Sequence, residues 1–204
     1  MLTLWHCEGA RSFRPLWALE EMGLAYELKL VPFPPRFRVE NWKEINPFGT
    51  IPAFTDGDAP VMTESVAICE YLGQRHGPTD LVVAPDEADY GLYLNTMYQA
   101  DATMTFPQTI ALRYRLQEPE KQLGAAADDY VQWFFARLKA VAGVLGERPY
   151  MAADRFTMAD ISLGFALQLA SRLKLGDFPD NIEAYWQRLQ ERPAYQRAMA
   201  KEKG

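Results

Sequence analysis

The apolar and polar positions along the first third of the chain alternate between two periods. Leu2-Thr3-Leu4-Trp5 reads as a short strand, and a loop of small and polar residues follows from Cys7 to Arg11. Ser12 is a favoured N-cap for a helix running to about Met22, with Leu16, Ala18 and Leu19 on its buried face. Pro15 falls in the first turn, where a missing N–H does no harm, and Gly23 marks the stop. Tyr26 to Val31 alternates as a second strand until Pro32, Pro34 and Pro35 end it. A polar connector carrying Trp42 leads to Asn46-Pro47. Two short strands then flank the turn at Asp56-Gly57, the second being Val61-Met62-Thr63, and a helix runs from Glu64 to about Arg75.

This order predicts strand–helix–strand followed by hairpin–helix. A helical crossover makes the first pair parallel, and a tight turn makes the last pair antiparallel. The expectation is a thioredoxin-like domain with a mixed four-stranded sheet over residues 1–77. Residues 78–86 have the punctuation of a linker, and strand signals cease beyond it. Val131, Phe134, Leu138 and Leu145 recur on one helical face, and Ile161 to Leu169 is apolar nearly all round. Thr157 precedes Asp160 by the spacing of a capping box. Residues 87–204 therefore read as an all-helical domain, and the fold class as α/β plus all-α.

Charge narrows the partners. A formal net charge of −6 argues against nucleic acid and against anionic membrane surfaces. Cys7 and Cys69 lie in no metal-ligand or CxxC spacing, and His6 and His76 are far apart, so no metal site is expected. The cysteine usage fits a reducing cytoplasm, and no secretory leader or membrane span is predicted.

The chemistry concentrates around Asn46-Pro47-Phe48-Gly49-Thr50-Ile51-Pro52 and Thr63-Glu64-Ser65. A cis bond at Ile51-Pro52 is expected to leave the main chain of Ile51 outside the sheet ladder. The helix beginning at Glu64-Ser65 presents unpaired N–H groups and a positive dipole end to an anion.

Four segments resemble the cytosolic glutathione transferase superfamily: Gly9-Ala10-Arg11-Ser12, Asn46 to Ala53, Thr63 to Ile68, and Phe156 to Ile161. In this order and spacing the resemblance covers essentially the whole chain. It implies a homodimer and glutathione as cosubstrate, without a metal. It implies that Ser12 stabilises the thiolate, with Arg11 adding positive charge nearby. Ile51 and Pro52 would meet the cysteinyl part of glutathione, and Glu64 and Ser65 its γ-glutamyl end. Lys43, or alternatively Arg36, would hold the glycyl carboxylate. Phe13, Met104, Phe106 and Tyr114 are expected around a small apolar electrophile, with Tyr98 as a further candidate. No tyrosine ends the first strand, where Trp5 and His6 stand instead, and His6, Cys7 or a backbone N–H is an alternative group beside the sulfur. The expected activity is conjugation. The alternatives are isomerisation, dehalogenation or thiol transfer on the same fold, or glutathione binding without turnover.

Overall fold

The computed structural model describes residues 1–203 and groups them into two compact units. One comprises Met1–Val82 together with the segment from Gln190 onward. The other is Val83–Leu189.

In the first unit, β1 (Leu2–His6) is central, with β2 (Tyr26–Leu30) parallel on one side and β3 (Ala53–Asp56) antiparallel on the other. The sheet thus has three strands, which corrects the expectation of four. Val61-Met62-Thr63 contributes a single antiparallel bridge, with Phe54 and Met62 exchanging both N–H···O=C bonds at 2.9 Å. Pro60 has no N–H to extend that pairing, and Thr63-Glu64 already turns into the next helix.

Between β1 and β2 lies α1 (Phe13–Met22), closed by Gly23 in the left-handed region at φ 63°, whose N–H reaches the Leu19 carbonyl. Two short helices, α2 (Pro35–Arg38) and α3 (Trp42–Ile45), fill the connector, and α4 (Ser65–Arg75) follows the bridge.

The second unit is helical, as the pattern predicts. Helix α5 (Tyr90–Gln99) runs through a wide π turn at Ala100–Thr105 into α6 (Phe106–Leu112). Pro107 cannot donate to the preceding turn, and there the Thr105 hydroxyl bonds the Ala100 carbonyl at 2.7 Å. Helix α7 (Gly124–Leu145) buries Val131, Phe134 and Leu138 on one stripe. Every residue of α8 (Met158–Arg172) from Met158 to Ala170 is buried, so it forms the centre of this unit. It starts with the expected capping box. Asp160 Oδ2 accepts from the Thr157 N–H at 2.8 Å, and Asp160 Oδ1 takes the Met151 N–H at 2.9 Å and the Tyr185 hydroxyl at 2.8 Å. Burial pushes the Asp160 carboxyl up to about 6 against these hydrogen bonds and a fourth, from the Thr157 hydroxyl at 3.1 Å. Helix α9 (Asp180–Gln190) ends the unit.

The last helix, α10 (Pro193–Lys201), belongs with the first unit and not with the bundle. Its Tyr195 ring packs edge-on against Trp17 and Phe13 of α1, with centroids 4.9 and 5.6 Å apart. Around that cluster, Glu20 takes the Arg197 guanidinium at 2.9 Å and the Lys201 ammonium, and Glu21 takes Arg192 at 2.6 Å. Among the described residues, no helix is long and apolar enough to cross a membrane.

Candidate functional site

Asn46 organises the loop that precedes β3. Its side chain is fully buried. Its amide nitrogen donates to the Thr50 carbonyl at 2.9 Å and reaches the Pro52 carbonyl at 3.4 Å, while its oxygen accepts the Phe48 N–H at 3.0 Å. Trp42 adds an indole N–H to the Thr50 carbonyl at 3.2 Å. The Ile51–Pro52 bond is cis, as the sequence predicts, and half-buried Ile51 precedes the ladder, which begins at Ala53. Gly49 is buried at φ 67° with the Arg36 side chain against it, so an added Cβ would stand 3.2 Å from Arg36 Cβ. Arg36 thus lies beside the loop, and both Arg36 and Lys43 are exposed.

Ser65 opens α4 and is 3% exposed; Glu64 flanks it and is exposed, with no capping hydrogen bond from its side chain. Arg14, wholly buried in the first turn of α1, donates from Nη1 to Ser65 Oγ at 3.0 Å. A guanidinium therefore stands at the amino end of α4, where the helix dipole already favours an anion. Sequence reasoning missed Arg14. Its one signal is a cation embedded in the apolar run Phe13-Arg14-Pro15-Leu16-Trp17, where a solvated arginine has no place.

Ser12 precedes α1, as the sequence predicts, but makes no side-chain cap, and its hydroxyl is fully buried. Ser12 Oγ is 2.8 Å from His6 Nδ1, accepts the Cys7 N–H at 3.2 Å, and lies 3.4 Å from the Cys7 carbonyl. These bonds commit the hydroxyl to the His6 ring and the Cys7 backbone. The half-exposed face belongs to Gly9, Ala10 and Arg11. Behind that face, the buried Glu202 carboxylate accepts the Gly9 N–H at 3.1 Å, a tether no local sequence signal announces. Cys7 is 1% exposed, and burial pushes its thiol up to about 12, so it is no ready nucleophile.

The four apolar candidates are divided between the two units, Phe13 in the first and Met104, Phe106 and Tyr114 in the second. Phe13 is core in the first unit, packed on Trp17 and Tyr195. Met104 lines a cavity of about 200 Å³ in the helical unit, with Leu92, Val141, Val144, Met151 and Arg137. Phe106 is 48% exposed and packs on Tyr130, and Tyr114 lies under Arg113. Among the described residues, neither Phe106 nor Tyr114 lines the Met104 cavity.

Comparisons with known proteins agree with this architecture. The family model described as "Glutathione S-transferase, N-terminal domain" matches residues 10–75, and that for the C-terminal domain matches residues 100–193. Glutathione S-transferase GstA of Escherichia coli O157:H7 is 27% identical over 211 residues, covering 98% of each chain. Glutathione S-transferase 3 of Schizosaccharomyces pombe is 27% identical over 208 residues, covering 95% of this chain and 85% of its own. Among solved structures, a glutathione S-transferase from Actinobacillus pleuropneumoniae superposes with a TM-score of 0.82 at 28% identity, covering 100% of this chain and 94% of its own. The Phanerochaete chrysosporium transferase URE2P6, solved with oxidised glutathione, gives 0.86 at 26%, covering 98% and 96%.

Proposed function

Because the chain belongs to the glutathione S-transferase family, we propose that this transferase joins the thiolate of glutathione to a small apolar electrophile, acting in the cytoplasm as a homodimer. The observation that carries the reading is the buried Arg14–Ser65 pair at the amino end of α4, beside a cis Ile51–Pro52 loop braced by Asn46. The γ-glutamyl carboxylate takes the Ser65 end of α4, under the field of Arg14, and exposed Glu64 meets the amine. The cysteinyl backbone lies along Ile51 and Pro52 as an added strand would. The glycyl carboxylate goes to Arg36, which lies beside Gly49 of the loop, with Lys43 as the second cation.

The sulfur then reaches the half-exposed Gly9–Arg11 face at the amino end of α1. A free thiol titrates near ~8.5, and lowering it by about two units corresponds to ~2.7 kcal/mol of preference for the thiolate. The Arg11 guanidinium and the dipole end of α1 supply that preference. Ser12 acts from behind as a positioning residue, because its hydroxyl is committed to His6 and Cys7. The electrophile seat is carried by Met104, Phe106 or Tyr114, and Phe13 supports α1 from within the core. Thiol transfer through Cys7 is the weaker reading, since its thiol is buried and pushed up to about 12.

The test is titration with reduced glutathione, followed by turnover with chlorodinitrobenzene as a general electrophile. Wild type binds and turns over. Arg14→Lys and Ser65→Ala each weaken glutathione binding by about tenfold or more, as loss of a charge-assisted bond implies. A wild-type protein that gives no heat with glutathione overturns the reading. One that binds without any thiolate absorbance supports a binding protein without turnover. Sedimentation at rising concentration reads the dimer.

A further inference from the structure

The cavity of about 200 Å³ in the helical unit is built for a ligand of its own. All of it belongs to the second unit, between α5, the π turn that follows it, and α7. Its floor is Thr96, Met104 and Met151, and its apolar walls are Leu92 and Val141. Exposed Gln99, Ala140 and Val144 leave its mouth open to water. An apolar cavity of about 150 Å³ holds a benzene ring, so this one takes a single ring with short substituents. The π turn Ala100–Thr105 supplies Thr103 and Met104 to the lining, and such turns interrupt helices mostly where a site is made.

Two polar groups of the lining are uncommitted. Thr96 is 4% exposed, and among the described residues its hydroxyl has no hydrogen-bond partner. A buried hydroxyl inside a helix ordinarily turns back to a carbonyl of the preceding turn. Thr105, Thr109 and Ser171 do so in this chain, at 2.7, 3.2 and 3.0 Å. Arg137 is half-buried, with its guanidinium 4.2 Å from the Trp133 ring centroid and Nη1 donating to the Trp133 carbonyl at 3.0 Å. These contacts place the group without neutralising it. Among the described residues Arg137 has no carboxylate partner, and no Asp or Glu lines the cavity. The local field therefore favours an anion, which the remaining guanidinium N–H groups can bind.

We propose that this cavity binds a small aryl carboxylate. The carboxylate meets Arg137, the ring lies against Met104, Val141 and Met151, and the Thr96 hydroxyl is left for a polar substituent on the ring. This goes beyond the transferase reading, because nothing in the site depends on glutathione.

Three probes of one shape separate charge from bulk: 4-hydroxybenzoate, 4-hydroxybenzyl alcohol and 4-hydroxybenzylamine. Methyl-labelled methionine reports the floor, and Met104→Leu and Met151→Leu assign its two signals among the eight methionines. With no glutathione present, 4-hydroxybenzoate is expected to saturate in the millimolar range or below and to shift both methyls. The alcohol binds more weakly and the amine weakest. Arg137→Gln weakens the carboxylate about fivefold to tenfold and leaves the alcohol unchanged. Thr96→Val keeps the thermal midpoint, since no protein hydrogen bond is lost, and weakens 4-hydroxybenzoate about threefold or more, to the level of benzoate. Equal binding of the amine overturns the proposal. So does a wild-type titration with 4-hydroxybenzoate that moves neither methyl, or an Arg137→Gln protein that binds it undiminished. Failure of the transferase reading would show instead in the calorimetry with glutathione, and it would leave these titrations as they are.

Discussion

Ser12 is the residue on which sequence and structure part most usefully. A serine before a helix reads as a cap or as a donor to a bound sulfur, and the two readings look alike in one dimension. Its hydroxyl is bonded to His6 and Cys7, an arrangement neither reading anticipates. Ser12→Ala removes a buried hydroxyl and leaves His6 Nδ1 and the Cys7 N–H without their partner. The expected cost is about 2 kcal/mol, read as a thermal midpoint lower by roughly 4–8 °C. The thiolate band of bound glutathione should persist in this variant once the folded fraction is allowed for. Loss of that band with an unchanged midpoint would return Ser12 to the sulfur. Arg14 was illegible for the opposite reason. Its partner, Ser65, is 51 positions away, and no local rule connects them.

At the scale of elements, period and punctuation were enough for α1, β2, α4 and α8, because each carries its own stop signals and a clear apolar face. The capping box of α8 was legible because its partners lie three residues apart. The missing fourth strand was not, since a strand is defined by what pairs with it, and Pro60 cuts the pairing to one residue. The allegiance of α10 was also hidden. Its amphipathic face suits either unit, and the Phe13, Trp17 and Tyr195 rings decide the matter in space.

Charge reinforces that choice and makes it depend on pH. Glu20 is 7% exposed, so burial opposes its charge, yet bonds from Lys201, Tyr26 and Arg197 hold its carboxyl below the ordinary value. A carboxyl lowered in the folded state contributes stability above its unfolded value of about 4.3 and loses it as the pH falls through the folded value. Glu20→Gln is therefore expected to lower the urea midpoint at neutral pH. The gap from wild type should close below about pH 4. A gap that stays constant down to pH ~3 would assign the effect to packing instead.

For the molecule as a whole, the first unit is discontinuous in sequence, and its helical companion is inserted between Val82 and Gln190. Residues 1–82 made alone would expose the Trp17 and Phe13 faces that α10 covers and would leave Glu20 and Glu21 without Arg197 and Arg192. That fragment is expected to show non-cooperative thermal unfolding and poorly dispersed amide resonances. A peptide of residues 190–203 added in trans should restore dispersion. A fragment that is well ordered alone would show that α10 decorates the unit without completing it. The domain boundary expected at residue 77 missed this because a linker signal marks where the chain leaves a unit, and carries nothing about where it returns.

The return of α10 also has a consequence in time. On the ribosome the β-strands emerge first, the long helices next, and the segment that covers Trp17 last of all. The nascent amino-terminal portion must wait, half dressed, through the translation of more than a hundred codons between Val82 and Gln190. A pause or premature stop anywhere in that interval strands an aromatic surface in the open, where chaperones and proteases would meet it.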